Sequence, residues 1–383
     1  MSRPDVVVVG AGIVGAATAW ELARRGIATV LLDRGEVSGE TTGLGEGNVL
    51  CSDKDAGPEL ELTVLGMAVY DELDDLLGPV ARIRRKGALI VHPDARTWTA
   101  EPARAARLRA AGVDCALLDD AAVREREPHL TGALHGALHV PGDLQCDPRA
   151  IARALASDAA ARGATVRPGT PVQHVLVGDD GRARGVRLGG GEEVLAGAVV
   201  LAAGPWTGPL AGAAGVPLPL EPRKGQLLRL RLPAPDEQWL RHKVVDGSYL
   251  LSVASTDLGR QVSTVIETTW DGRLVVGSTR ERCGFDASVD AALEDAVRER
   301  AARLVPAVAG LAREAAWVGF RPWLPDHLPA IGPSTRTPGL WLATGHEGAG
   351  VALGPITGRV IAGALAGEPP PMDLSPFAPD RFA

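Results

Sequence analysis

The chain has 383 residues, enough for two domains that share a core. Hydrophobic residues make up 45% and charged residues 23%, which excludes a largely disordered chain. The formal net charge of −7 argues against nucleic-acid and anionic-membrane partners.

Val6 to Val9 reads as a strand buried on both faces of a parallel sheet. Ile13 to Arg25 has helical spacing and stops at Gly26. Thr29 to Leu32 is a second buried strand, ending at Asp33, so the chain opens on a βαβ unit. Ser38 to Asn48 is a polar, glycine-rich loop, and Glu59 to Leu77 is helical, closed by Gly78-Pro79. Ala88 to Val91 is strand-like and Thr99 to Ala111 helical. Asp147-Pro148 starts a helix, with an acidic N-cap and proline at the first position, running to about Arg162. Short strands follow at Thr165–Arg167, Val172–Val177, Ala183–Leu188 and Glu193–Leu195, with a hairpin turn at Asp179-Asp180-Gly181. Ala198 to Gly204 repeats the pattern of a buried strand running into glycine. Arg223 to Thr279 alternates as an antiparallel sheet does, with a turn at Trp270–Arg273. A helix from about Val289 to Leu304 follows. Gly339 to Gly345 is again strand into glycine, and Val351 to Ala366 is a helix of small residues.

These elements predict an α/β chain: a Rossmann-like nucleotide-binding domain with a parallel sheet, and an inserted domain with a mostly antiparallel sheet and helices. The nucleotide domain is expected to be discontinuous, from residues 1–78, 147–220 and 331–383. The substrate domain is expected at 79–146 and 221–330.

Four scattered cysteines, Cys51, Cys115, Cys146 and Cys283, suit neither a disulfide framework nor a metal cluster. They predict reduced thiols and a cytoplasmic chain. No signal peptide is expected, and no apolar stretch reads as long enough to span a bilayer. His135 and His139 lie in a segment broken by Gly136 and Pro141 that reads as a strand, so no metal site is expected there.

Gly10, Gly12 and Gly15 form G-x-G-x-x-G between a strand and a helix. Gly10 permits the tight turn, Gly12 a close approach to a pyrophosphate, and Gly15 close helix–strand packing; the first-turn residues Ile13 and Val14 offer backbone N–H groups to the phosphates. Asp33 stands where it can take ribose hydroxyls. Arg34 leaves open a 2′-phosphate, and with it an NADP-type dehydrogenase. This motif does not choose between nicotinamide and flavin.

The stretches "ETTGLGEGN" (40–48), "VVLAAGPWTGPL" (199–210), "DGRLVVGSTRERCGFD" (271–286), "VGFRPWLPDHLPAIGP" (318–333) and "GLWLATGHEGAGVALGPITGRVIA" (339–362) carry a resemblance over nearly the whole chain. It resembles the D-amino-acid-oxidase-type FAD oxidoreductases, among them glycine oxidase, sarcosine oxidase β chains, D-hydroxyproline dehydrogenase and the glycine-oxidising subunit of hydrogen cyanide synthase. The resemblance implies FAD. It implies that Thr41, Thr42, Gly43, Glu46, Gly47 and Asn48 lie along the pyrophosphate and flavin, and that the Val172 backbone meets adenine. It places Ala203, Gly204 and Trp206, and Gly345, His346, Glu347, Gly348, Ala349, Gly350 and Val351, around the cofactor. The last helix would point its N-terminus at the flavin edge that gathers negative charge on reduction.

Arg321 matches the family arginine that clamps the substrate carboxylate, a task suited to a bidentate guanidinium. His346 is a further catalytic candidate, and Tyr249 one within the inserted sheet, as a lid or carboxylate ligand. Positions near Val265 and Gly348 depart from a tyrosine and an arginine of glycine oxidases, and Val275 or its neighbours from a lysine of monomeric sarcosine oxidases. Cys51 and Cys283 read as packing residues rather than covalent flavin anchors.

The implied activity is FAD-dependent oxidation of the C–N bond of a small amino acid or secondary amine, by hydride transfer to flavin, with O2 or an electron carrier as acceptor. Two alternatives remain at this stage: a flavoprotein subunit passing electrons to a partner in a homo- or hetero-oligomeric complex, and an NAD(P)-dependent dehydrogenase.

Overall fold

The computed structural model describes residues 3–253 and 259–382. The four valines of Val6–Val9 take the centre of a six-stranded sheet because neither face meets water: all are at most 5% exposed. Strand Val6–Val9 pairs in parallel with Ala198–Leu201 on one side and Thr29–Leu32 on the other. Thr165–Arg167 and Leu340–Thr344 extend the sheet in parallel, and Ala330–Pro333 closes one edge antiparallel.

Helix Ile13–Arg24 crosses this sheet and packs on the last helix, Gly350–Leu365. Small residues set the spacing. A Cβ placed on Gly358 would lie 2.6 Å from the Ala17 and Thr18 backbone, and one on Gly354 3.0 Å from Ile13 Cγ2. The stretch Glu347–Leu365 is long and apolar enough, by length and composition, to cross a membrane, which the sequence reading had not anticipated. Its small-residue face is covered by Ile13–Arg24, and Tyr70 of helix Pro58–Leu77 donates to Val351 O at 2.5 Å.

A second, eight-stranded sheet runs in the order Ala312–Trp323, Glu221–Arg231, Arg273–Arg280, Gln261–Thr268, Lys243–Asp246, Ala88–His92, Gly136–Val140, Ala116–Leu118. Its pairings are antiparallel except one: Lys243–Asp246 runs parallel to Ala88–His92. Two expectations shift here. The helix expected from Thr99 starts earlier, at Ala95, because the Asp94 carboxylate accepts from the Arg96 N–H and caps it. Tyr249, expected on a strand, sits in a six-residue helix, Ser248–Val253, beyond the end of Lys243–Asp246. The chain leaves the sheet at Gly247, and the Asp246 carboxylate accepts from the Ser248 N–H at 2.8 Å, which starts the turn.

Candidate active site

One cavity of about 470 Å³ runs between the two sheets. It is lined at one end by Asp33, Arg34 and Val172, in the middle by Gly12, Ile13 and Thr42, and at the other end by Gly350, Arg321 and Tyr249. Of the site residues expected from the sequence, all but Gly15, Gly43 and Gly345 line it. Those three stand behind the wall and shape it. A Cβ on Gly15 would collide with Gly10 O. Gly43 lies against Arg149, whose Nη2 donates to Gly43 O at 2.6 Å. Gly345 takes φ +81°, and a Cβ there would meet the Leu324 side chain.

At the first end, Asp33 accepts from the Ala11 N–H at 2.6 Å and from the Gly35 N–H at 2.8 Å, which fixes its carboxylate at the strand end. Arg34 is engaged by the protein: its guanidinium stacks over the Trp206 ring at 3.9 Å and donates to Glu40 at 2.9 Å.

At the turn, Gly10 takes φ +103°, and a Cβ there would lie 2.5 Å from Ala202 O. The two threonine hydroxyls of the glycine-rich loop are used for construction. Thr42 Oγ1 accepts the Ile13 N–H at 3.0 Å, and Thr41 Oγ1 donates to Phe320 O at 2.8 Å, so the loop is tied to helix Ile13–Arg24 and to the eight-stranded sheet. Neither helix Ile13–Arg24 nor helix Gly350–Leu365 is capped by the side chain at its N-cap position. Residues of the first turn of each helix border the cavity, an arrangement that favours anionic groups.

His346 is 3% exposed, and its Nε2 faces Thr357 Oγ1 at 3.0 Å. Burial lowers its pKa to about 3, so the ring is neutral at ordinary pH. Glu347 is also buried. It accepts from Arg223 Nη1 at 2.6 Å and lies 3.0 Å from His327 Nδ1; burial opposes its charge, but these two partners outweigh it and lower the pKa.

Arg321 enters from strand Ala312–Trp323, where it pairs with Arg223. Its guanidinium packs over Gly225 of the neighbouring strand and donates to Thr279 O at 3.1 Å. Among the described residues no carboxylate forms an ion pair with it. Burial, followed by the charge of Arg280, lowers its pKa to about 10. Tyr249 lies under the Arg280 guanidinium, 4.5 Å from it.

Sequence reasoning missed several cavity residues: Asp53, Lys54, Gly225, Leu227, Lys243 and Ser278. Lys243 is the most informative. It is 4% exposed, ion-paired with Glu46, and 3.8 Å from Glu267. Asn48 donates to Glu46 at 3.0 Å and to Glu267 at 2.7 Å, and Gln145 to Glu267 at 2.6 Å. Lys86 completes this network through Thr268 O, and burial lowers its pKa to about 8. Lysine at the head of "KVVD" looks like a solvated strand end; only the parallel pairing with Ala88–His92 encloses it.

A parallel sheet ending on a glycine turn, two helix N-termini and an arginine facing the same cavity fit a dinucleotide-dependent oxidoreductase. The chain belongs to the FAD dependent oxidoreductase (DAO) family, whose pattern matches residues 5–364. It is 30% identical over 380 residues to the glycine oxidase of Pseudomonas aeruginosa, spanning 98% of each chain. It is 33% identical over 315 residues to the D-amino acid dehydrogenase of Xanthobacter autotrophicus, which is 82% of this chain and 69% of that protein. The crystal structure of glycine oxidase from Geobacillus kaustophilus superposes with a TM-score of 0.88 at 28% identity, covering 100% of this chain and 99% of that one. The chain is thus an FAD-dependent oxidoreductase of the glycine oxidase type, acting on amine donors. The residues present fit FAD: the Gly10–Gly12 turn and the helix at Ile13 suit the pyrophosphate, Asp33 a ribose, and the helix at Gly350 an electron-rich ring edge. This removes the nicotinamide alternative, and the stacking of Arg34 on Trp206 gives that side chain a different use.

Proposed function

We propose that the protein oxidises the C–N bond of a small amino acid or secondary amino acid whose carboxylate is held by Arg321. The observation that carries this reading is the state of Arg321: a half-buried cation in the cavity wall, bound to one backbone carbonyl and, among the described residues, to no carboxylate. An anionic ligand would meet that cation in a place where water competes little, so the pairing is strong and directional. Gly225 and Thr279 fix where the guanidinium points, and hence where the substrate's α-carbon comes to rest. Gly10, Gly12, Ile13, Val14 and Asp33 would hold the ADP half of the cofactor, and Gly348 to Val351 the flavin half. When bound, FAD supplies a two-electron acceptor, so that the α C–H can leave as hydride and the imine left behind hydrolyses to a keto acid or aldehyde plus ammonia or an amine. His346, neutral and bonded to Thr357, supports the turn before the last helix rather than exchanging a proton with substrate.

The test is anaerobic bleaching of the bound flavin across glycine, sarcosine, D- and L-proline, hydroxyprolines and common D-amino acids, with reoxidation by air timed in the same cuvette. Fast reoxidation marks an oxidase; slow reoxidation marks a dehydrogenase that passes electrons to a carrier or partner subunit. Arg321→Ala should retain FAD and lose turnover with every amino acid. Unchanged turnover would remove the clamp from this reading.

A further inference from the structure

Glu46 was expected in the cofactor loop, but its side chain is built for something else. It lies in the cavity wall with 15% of its side chain exposed. One oxygen, Oε2, takes both Lys243 Nζ and Asn48 Nδ2. Among the described residues, Oε1 has no hydrogen-bond donor. Beside it stands Gly277, where a Cβ would lie 3.4 Å from Oε1 and would strike Leu227, a residue of the cavity wall. The carboxylate cannot turn away, because Lys243 and Asn48 are themselves fixed on Glu267, and Glu267 is held in turn by Gln145. Burial works against the charge of Lys243, but the Glu46 and Glu267 carboxylates outweigh it and raise its pKa, so Lys243 stays charged.

Glu46 and Arg321 both line this cavity, and the charges of Glu347 and Glu46 oppose the lowering of the Arg321 pKa by burial and Arg280. A cation that lacks a carboxylate and a carboxylate with one unused oxygen, facing a common space, are the complement of a zwitterion. We propose that Glu46 receives the amino group of the substrate through Oε1, and so selects α-amino and α-imino acids over hydroxy acids, while Arg321, on the carboxylate, selects them over simple amines. This rests on the reading of the cavity as an amino-acid site. Lys243 and Asn48 act as positioning residues: they hold Oε2 and leave Oε1 free for an N–H of the ligand. A carboxylate serving only as the structural partner of Lys243 would be indifferent to whether a ligand carries nitrogen, and that difference is measurable.

The experiment uses the FAD-loaded enzyme and paired probes that differ only at that atom: glycine against glycolate, and proline against tetrahydrofuran-2-carboxylate. Dissociation constants come from saturation of flavin reduction for the amino acids, and from perturbation of the flavin spectrum for the oxygen analogues. Glu46→Gln keeps the shape and removes the charge. It should weaken the amino acid by about 10- to 100-fold, the size of one hydrogen bond to a charged group, and the oxygen analogue by less than about threefold. Equal weakening of both members of a pair, or of neither, overturns the assignment. If Glu46→Gln fails to hold FAD, Glu46→Asp is used instead: it keeps the ion pair but withdraws the oxygen from the cavity, and the same selective loss is expected. Wild-type enzyme reduced by no amino acid would overturn the amino-acid reading and this assignment together. Normal reduction of the wild type with an unselective Glu46→Gln overturns this assignment alone.

Discussion

Gly225→Ala separates the seat of Arg321 from its presence. Gly225 lies opposite Gly319 on the paired strands, one step along the same face from Arg223, which is opposite Arg321. The Arg321 side chain leans along its strand into the space this glycine leaves. A Cβ on Gly225 would lie 2.5 Å from Arg321 Cζ and Nη2, closer than real carbon contacts come. Gly225 has no positive φ, so alanine strains no backbone there. The guanidinium, as the far end of a flexible chain, must therefore move while the sheet stays. A bidentate clamp shifted in this way loses at least one of its two hydrogen bonds to a charged group, about 1.5 to 3 kcal/mol. That corresponds to a rise in KM, and in the dissociation constant of a carboxylate ligand, of about 10- to 100-fold. The assay has three readings on one preparation: flavin absorbance per protein, apparent Tm, and KM with the best amino acid of the panel. Flavin content and Tm should match wild type while KM rises. An unchanged KM would refute the placement of the carboxylate at Arg321. Loss of flavin would refute the claim that Gly225 shapes only the substrate end.

Two further outcomes follow from packing and from charge. Gly358→Ala should lower stability by about 1 to 3 kcal/mol, because the new Cβ presses on the Ala17–Thr18 backbone, which cannot swing aside. Helix propensity alone predicts the opposite sign, a gain of about 1 kcal/mol, so a raised Tm in a thermal melt would sink the close-packing argument. The buried carboxyl of Asp143 is pushed up to about 7 by burial, against the opposing pull of Ser52 and the Cys51 N–H. The folded chain therefore holds this proton more tightly than the unfolded chain, whose carboxyl titrates near 3.8. Its contribution to stability is complete below that lower value, declines as pH rises, and is fully lost above about 7. Asp143→Asn removes this dependence, so the Tm of the variant minus that of wild type should climb between about pH 4 and 7 and then level off. A difference that stays constant with pH would refute it.

The cofactor half of the site was legible because its determinants are local. A β-branched run, three glycines at fixed offsets and an acid after the next strand all sit within residues 6–33, so one short stretch of sequence carries the whole pattern. The last helix was legible for a related reason, since its small residues already imply close packing. Arg321 was reached by resemblance, not by pattern. What stayed hidden is what strand register assembles. Gly225 matters because of where the next strand puts a guanidinium, and nothing in "RKGQLL" announces it. Lys243 was hidden by the one parallel pairing in a sheet that reads as antiparallel. Tyr249 was misplaced because "SYLLSV" is as apolar as a strand, and only the turn at Gly247 reveals a helix.

The same contrast bears on how such a site acquires its specificity. On the reading proposed above, Gly10, Gly12 and Asp33 answer to a cofactor of fixed shape, so their spacing leaves little freedom. Lys243 and Glu267 come from two paired strands, Glu46 from a loop some two hundred residues earlier, and the ion-pair network joins that loop to the sheet. Moving any one of them changes the charge presented to the substrate without touching the pyrophosphate turn. On this argument Glu46 is the part of the cofactor loop that belongs to the substrate. A variant there should alter which ligand is oxidised while leaving the flavin bound, the reverse of what Gly12 variants should do.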